Sequence, residues 1–306
     1  MKTRLRAKNT RERDSRESSS RVFASTASRL KHTSPVITLL TDFGISDYFV
    51  AAMKGVILGV NPNARIVDIT HEIPPQDIEA AAFTLLAAWS SFPSGTIHVA
   101  VVDPGVGSAR RAILIKLADQ FFVGPDNGIF SYVFETGEAR GEKPKLFQLT
   151  NEKYWRQPLS ATFHGRDVFA PVSAALSLGV KPAQLGKPLP DIVRLQPLRP
   201  TRSRDGSLNG RIINLDRFGN CITNISERDL TAKMIAAGAA LRVKGKTVSS
   251  FRNHFAEETA GKEKLFAIWG SAGFLEIAAT NASAAKLLRA QRGDAVIVKA
   301  SLTCHT

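Results

Sequence analysis

Short unbroken apolar runs alternate with helically spaced apolar positions from residue 36 to residue 179. Residues 36–40 (Val36-Ile37-Thr38-Leu39-Leu40) are apolar and β-branched almost throughout, the pattern of a strand buried on both faces of a parallel sheet. From about Asp47, Phe49, Val50, Met53, Val56, Ile57 and Val60 recur at helical spacing, and Ser46 or Asp47 is placed to cap that helix. Further on, residues 65–70 read as a strand, 76–89 as an Ala-rich amphipathic helix and 96–102 as a second buried strand. Residues 112–117 and 120–123 read as a hairpin or paired strands. Residues 167–178 read as a helix, with Gly179 just past its end. Strand and helix in alternation predict a mostly parallel sheet covered by helices, an α/β fold.

The pattern changes after a Pro-rich stretch containing Pro188, Pro190, Pro197 and Pro200. Short β-like runs then dominate, at 210–215, 241–244, 264–269, 274–278 and 295–298. The expected division is a tail over 1–34, an N-terminal α/β domain over 35–190 and a linker over 191–208 that ends in a turn at Asp205-Gly206. A smaller, mainly β and barrel-like domain follows over 209–306. No internal repeat is evident.

Composition changes this picture in three places. An apolar fraction of 43% supports a real core, and no apolar run reaches the ~18 residues of a membrane span. The formal charge is +14, but residues 1–34 hold ten Lys or Arg against three acids, so half of that charge sits in a Ser-rich, aromatic-poor segment. Disorder is the plain reading of such a composition. A transit peptide or a nucleic-acid arm is the sharper one, but the acids speak against the first and the lack of an aromatic-basic stripe against the second. No nucleic-acid partner is expected. The two cysteines, Cys221 and Cys304, give neither a disulfide framework nor a metal spacing, which fits a reducing, cytoplasmic setting.

Four polar clusters stand at predicted strand ends or turns: Asp42 with Asp47, Asp103 with Arg110 and Arg111, residues 162–167 around His164, and residues 214–224 around Asp216. Open α/β sheets bind ligands at the carboxyl ends of their strands, where Asp42 falls. A carboxylate there can accept from both hydroxyls of a sugar diol, or merely cap the turn. A carboxylate, a guanidinium and an imidazole in one pocket can hold a water molecule. Arg110 would keep Asp103 ionised, and His164 would accept or relay a proton. Taken singly, Asp103 with Arg110 reads as a surface pair and His164 as a turn residue. Gly105-Val106-Gly107 lacks the rest of any phosphate-binding loop and reads as a tight turn. No Gly-x-Ser-x-Gly elbow is present, the six histidines show no paired metal spacing, and His98 reads as structural. Cys221 is a packed side chain or a thiol near the polar cluster.

These clusters, in this order, make residues 35–300 resemble the S-adenosyl-L-methionine (SAM) hydrolases, also called SAM hydroxide adenosyltransferases, within the superfamily of fluorinase and chlorinase. The resemblance rests on Thr41-Asp42-Phe43-Gly44 with Asp47, on Val101-Val102-Asp103-Pro104-Gly105-Val106-Gly107 with Arg110, and on Gly124-Pro125-Asp126-Asn127-Gly128. It rests also on Phe163-His164-Gly165-Arg166-Asp167, on Asp216-Arg217-Phe218-Gly219-Asn220 with Thr223-Asn224, and on Gly273-Phe274-Leu275-Glu276-Ile277-Ala278.

The resemblance implies an α/β N-terminal domain, a β-barrel-like C-terminal domain, and a homotrimer with each site between the N-domain of one subunit and the C-domain of a neighbour. It implies that Asp42 holds the ribose diol and that Asp47 and Asp216 contact the methionine end, Asp216 near its amino group. Asn220 and Phe218 would flank the adenine, Ser271 would lie near the methionine carboxylate, and Ala284 ends the segment facing the adenine edge. Asp103, Arg110 and His164 match the catalytic triad that places the attacking water. The implied reaction is SAM and water to adenosine and L-methionine, by in-line attack on C5′, with no metal and no cofactor. The long insertion of fluorinase after the position of Arg110 is missing, and Gln76 stands where fluorinase has a tryptophan, so water rather than halide is the implied nucleophile. The alternatives are a chlorinase-like, halide-using adenosyl transferase and a non-catalytic SAM- or adenosine-binding protein.

Overall fold

The computed structural model describes residues 35–257 and 264–299; the basic tail 1–34 and Cys304 lie outside the described residues. The first half forms a seven-stranded sheet. Its strands are β1 (Val36–Thr41), β2 (Arg65–Thr70), β3 (Ile97–Val101), β4 (Ala112–Leu117), β5 (Gln120–Pro125), β6 (Lys145–Leu149) and β7 (Gly186–Pro188), in the order β2-β1-β3-β5-β4-β6-β7. Strands β2, β1, β3 and β5 pair in parallel, and the remaining three add antiparallel pairs. Every residue of β1 and β3 is buried, as the unbroken apolar runs of a central parallel strand require.

Helices cover both faces of this sheet. On one side α1 (Phe49–Val60) presents Met53 and Ile57, both fully buried, to the same core as Ile37, Val99 and Phe169. Truncating such a side chain to Ala costs about 2–5 kcal/mol. On the other side α2 (Ile78–Ala88) packs with α3 (Ser131–Ala139) over Leu40, Ile115 and Phe122. The Asp77 carboxylate caps α2 by accepting from the Ala80 N–H at 3.0 Å. The last covering helix, α4 (Ala170–Ser177), is buried at every residue and ends before Gly179 at φ +90°.

Three local expectations need correction. Neither Ser46 nor Asp47 caps α1: the residue before it is Tyr48, with no side-chain cap bond. Gln76 is not helical but left-handed, at φ +64°. Residues 165–169 form a wider π-type turn that leads into α4.

The second half forms a nine-stranded sheet. Its strands are β8 (Thr201–Arg202), β9 (Leu208–Leu215), β10 (Cys221–Ser226), β11 (Ala240–Val243), β12 (Lys246–Val248), β13 (Phe251–Arg252), β14 (Leu265–Trp269), β15 (Phe274–Ala279) and β16 (Ala295–Lys299). Their order is β12-β11-β16-β9-β10-β15-β14-β13, with β8 beside β9. The sheet curls into a half-barrel, so that β12 returns against β14 around a single apolar cluster. Cys221 belongs to that cluster and is fully buried. Burial, and to a lesser degree the charges of Asp216 and Asp294, push its thiol up to about 12. It is an inert packed side chain.

The two halves meet along α2. Phe83 packs against Phe274, with ring centroids 6.1 Å apart, beside Tyr132, Ile213 and Ile222. Arg211 pairs with Glu79, which also accepts from the Tyr132 hydroxyl at 2.9 Å. Arg292 grips Asp77 through both terminal nitrogens, one at 2.8 Å.

Candidate active site

The carboxyl ends of β1 and β3 lie side by side, because Thr41 is in register with Val101. That pairing brings Asp42 and Asp103 onto the rim of one cavity of about 360 Å³, with Gln76, Val106, Phe163 and His164. The loop after β1 is braced from behind. The Phe43 N–H donates to Thr41 Oγ1 at 3.2 Å, Thr41 Oγ1 meets His71 Nδ1 at 2.9 Å, and the Gly44 N–H donates to the His71 carbonyl at 2.8 Å. The left-handed turn at Gln76 aims its own N–H at Asp42, whose Oδ2 accepts at 2.8 Å. A non-glycine residue in that conformation is held there by its surroundings, and here Asp77, gripped by Arg292, is next in the chain. The other Asp42 oxygen makes no hydrogen bond among the described residues.

Asp103, Arg110 and His164 come together. The side chains of Asp103 and Arg110 are only 5% and 11% exposed, so the pair is not a solvated surface contact. Arg110 Nε donates to Asp103 Oδ1 at 2.9 Å, and Nη2 donates to Oδ2. The same Nη2 contacts His164 Nδ1 at 2.9 Å. Gly107 makes this approach possible. It adopts φ +76°, and a Cβ there would sit 2.2 Å from the Ala161 carbonyl oxygen. Arg111, grouped with Arg110 in the sequence, turns away to Asp126 at 2.6 Å. In the same turn Asn127 donates to the Val102 carbonyl at 2.8 Å, bracing the chain just before Asp103.

This geometry decides the state of His164. A guanidinium donates and never accepts, so Nδ1 must be the acceptor. The neutral ring then carries its proton on Nε2 and is a donor toward anything beyond it. Burial first, then the Arg110 charge, hold the imidazole below its ordinary value, against the opposite pull of Asp103 and Asp167. In this tautomer His164 meets a ligand first as a hydrogen-bond donor, beside the expectation that it accepts or relays a proton. The π-type turn that follows packs Asp167, fully buried, against Arg166 at 2.7 Å and Arg156 at 3.3 Å. That packing fixes the backbone that carries His164.

The remaining candidates fall elsewhere. Asp216, Phe218, Asn220 and Ser271 line a second cavity, of about 690 Å³, on the half-barrel. Asp216 accepts from the Phe218 N–H, the Asn220 N–H and Asn220 Nδ2 at 2.8–2.9 Å. Phe218 is 78% exposed. The two cavities share no lining residue. Asp47 is exposed and lines neither. Ala284 does not face a cavity either: it is fully buried in the half-barrel core, and Ala282, two residues earlier, lines the pocket. Among the described residues no group of His, Cys, Asp or Glu is arranged to hold a metal ion, and no helix is long and apolar enough to cross a membrane.

Residues 37–186 match the SAM hydroxide adenosyltransferase N-terminal domain, and residues 210–297 match the C-terminal domain of the same family. The chain belongs to the SAM hydroxide adenosyltransferase family. It is 38% identical to the (R)-S-adenosyl-L-methionine hydrolase of Thermus thermophilus, an alignment covering 84% of this chain and 96% of the relative. It is 37% identical to the enzyme of the same name from Methanocaldococcus jannaschii, over 85% of this chain and 94% of that one. A fluorinase of Nocardia brasiliensis is more distant, at 28% identity over 87% and 97%. The crystal structure of an uncharacterized conserved protein from Thermotoga maritima superposes with a TM-score of 0.78 at 34% identity, covering 86% of this chain and 99% of that one. As a SAM hydroxide adenosyltransferase family member, the chain carries two features that motif reading passed over. One is the Gln76 backbone amide on Asp42. The other is Glu276, which faces the second cavity from β15. An acid inside an otherwise apolar strand, Phe274–Ala279, was the available signal for the second.

Proposed function

We propose that this chain hydrolyses S-adenosyl-L-methionine to adenosine and L-methionine, with Asp103, Arg110 and His164 placing the water. The observation that carries this reading is the Asp103–Arg110–His164 contact, with Asp103 and His164 lining the same cavity as Asp42. The 37–38% identity to proteins named as hydrolases of this substrate supports it.

The sulfonium departs as a neutral thioether and needs no acid. The task left to the protein is orientation: a water within about 3–3.5 Å of C5′, in line with the breaking C–S bond. Asp42 holds the ribose diol through its free oxygen. The Nε2–H of His164 donates to the water oxygen and leaves one lone pair aimed at carbon. Asp103, fixed by two guanidinium N–H groups, keeps spare acceptor capacity for a water proton. The proton leaves late, when the newly bonded oxygen carries positive charge and is strongly acidic, so a weakly basic carboxylate suffices.

The second cavity supplies the rest of the site. Asp216 and Asn220 take the amino-acid and adenine ends, and the site is completed between copies of the chain in a homotrimer. The division of candidate residues between two cavities with no shared lining supports this arrangement.

Chromatography of purified protein with S-adenosyl-L-methionine tests the reaction. Adenosine is expected in halide-free buffer. A halogenated nucleoside in concentrated chloride would instead identify an adenosyl transferase, and no turnover with intact binding a non-catalytic protein. For the shared site, an Asp103→Asn chain and an Asp216→Asn chain are inactive alone and regain activity when co-expressed. Failure to regain it places the site within one copy.

A further inference from the structure

Glu276 sits in the middle of the half-barrel sheet, on β15 between β10 and β14. Its strand neighbours Leu275 and Ile277 point into the barrel core. Alternation therefore turns Glu276 to the other face, onto the cavity that holds Asp216, Asn220 and Ser271. The residue is only 9% exposed. Among the described residues its carboxyl meets no hydrogen-bond donor and no cation. A buried carboxyl in that condition is costly unless a ligand completes it.

The local backbone is shaped around this carboxyl. A Cβ on Gly270 would lie 1.9 Å from Glu276 Oε1. Residue 270 has no positive φ, so the glycine leaves room for the Glu276 carboxyl in its present rotamer and is not there for conformation. The space it leaves opens between Trp269 and Ser271, which line the same cavity. Asp216 across the cavity already accepts three N–H groups from its own turn. Glu276 is therefore the acceptor left with open valence. Burial, and then the Asp216 charge, raise its pKa, which a bound cation would reverse.

We propose that Glu276 binds the α-ammonium group of the amino-acid end of the ligand and makes the site selective for nucleosides that carry it. A primary ammonium has three N–H donors in a compact head, which suits an open carboxylate in a cavity that a second carboxylate, Asp216, also lines. A sulfonium has no N–H and gains nothing directional from the open acceptor. This inference deepens the proposed function and rests on its assignment of the second cavity to the amino-acid end.

The test is calorimetry on the full chain and on Glu276→Gln with two ligands. S-adenosyl-L-homocysteine carries the ammonium but no sulfonium, and 5′-methylthioadenosine carries neither. Glu276→Gln is expected to weaken S-adenosyl-L-homocysteine by about 10- to 100-fold, the range of a hydrogen bond to a charged group. Methylthioadenosine binding is expected to stay within about twofold of the parent. Equal binding of S-adenosyl-L-homocysteine by both proteins overturns the proposal. So does an equal loss for both ligands, which would mark Glu276 as a structural residue. Turnover of S-adenosyl-L-methionine by the parent chain is measured beside these. Its absence would refute the hydrolase reading, while the ratio of binding constants still reports on Glu276.

Discussion

Gly107 gives a direct way to test whether the contact between Arg110 and His164 matters. It lies three residues before Arg110, and the carbonyl it approaches, on Ala161, lies three residues before His164. Gly107→Ala adds two costs. The left-handed backbone disfavours any Cβ by about 1–2 kcal/mol. The new methyl would also start 2.2 Å from the Ala161 oxygen, and real contacts essentially never fall under 3.0 Å, so the two loops must part by at least about 0.8 Å. Transmitted along the two loops, that opening stretches the 2.9 Å contact between Arg110 and His164 beyond hydrogen-bond range. A misplacement of about 1 Å in a catalytic constellation costs on the order of 100-fold in rate. Stability should suffer much less, since the strained loop lies at the surface. A loss of about 2 kcal/mol lowers the melting temperature by roughly 3–4 °C in a chain of this size. The assay pairs adenosine formation by chromatography with a thermal melt. A variant that keeps the parent rate to within about threefold would refute the reasoning, because the close approach would then have no bearing on chemistry.

Two further outcomes are expected. Activity should fall at acid pH, with a limb below the ordinary histidine value of 6.5, since protonating Nδ1 sets a cation against Arg110; in Arg110→Met the limb should move upward, still restrained by burial, and a parent limb at or above 6.5 would contradict the assigned tautomer. Arg292→Ala should cost about 1–2 kcal/mol in denaturant unfolding, a partly exposed bidentate pair being lost, and should weaken adenosine binding by loosening the turn at Gln76; unchanged affinity would uncouple that turn from Asp42.

Much of this arrangement was legible before any coordinates. The runs at 36–40 and 96–102 marked two central strands, and the polar residues just after them were the natural place for a ligand. Their adjacency was not legible, because strand order follows from how helices pack back onto a sheet and not from local pattern. Arg110 and His164 are 54 residues apart, and only the glycine-lined approach of two loops joins them. Reading Arg110 with Arg111 as one cluster failed for a simple reason: successive side chains leave an extended segment on opposite sides, and Asp126 waits on the other one. Gln76 was read as helical because the run after it is, whereas it stands two residues before Ile78 in a left-handed turn that puts its N–H on Asp42. Ala284 was placed at the ligand by its position in a motif, although a small apolar side chain at the start of a short helix packs inward. Glu276 stood in view within a quoted motif and was passed over because strands there looked merely structural.

The two guanidiniums that cross from the half-barrel to α2 carry a consequence for engineering. They end on Asp77 and Glu79, beside the amide that steadies Asp42, the carboxylate proposed to face the sugar. A chimera that transplants only the first sheet onto a foreign partner would keep Asp103, Arg110 and His164, yet leave that turn untethered. Recombination between relatives should therefore succeed when the breakpoint moves residues 76–79 together with 211 and 292, and fail when it separates them.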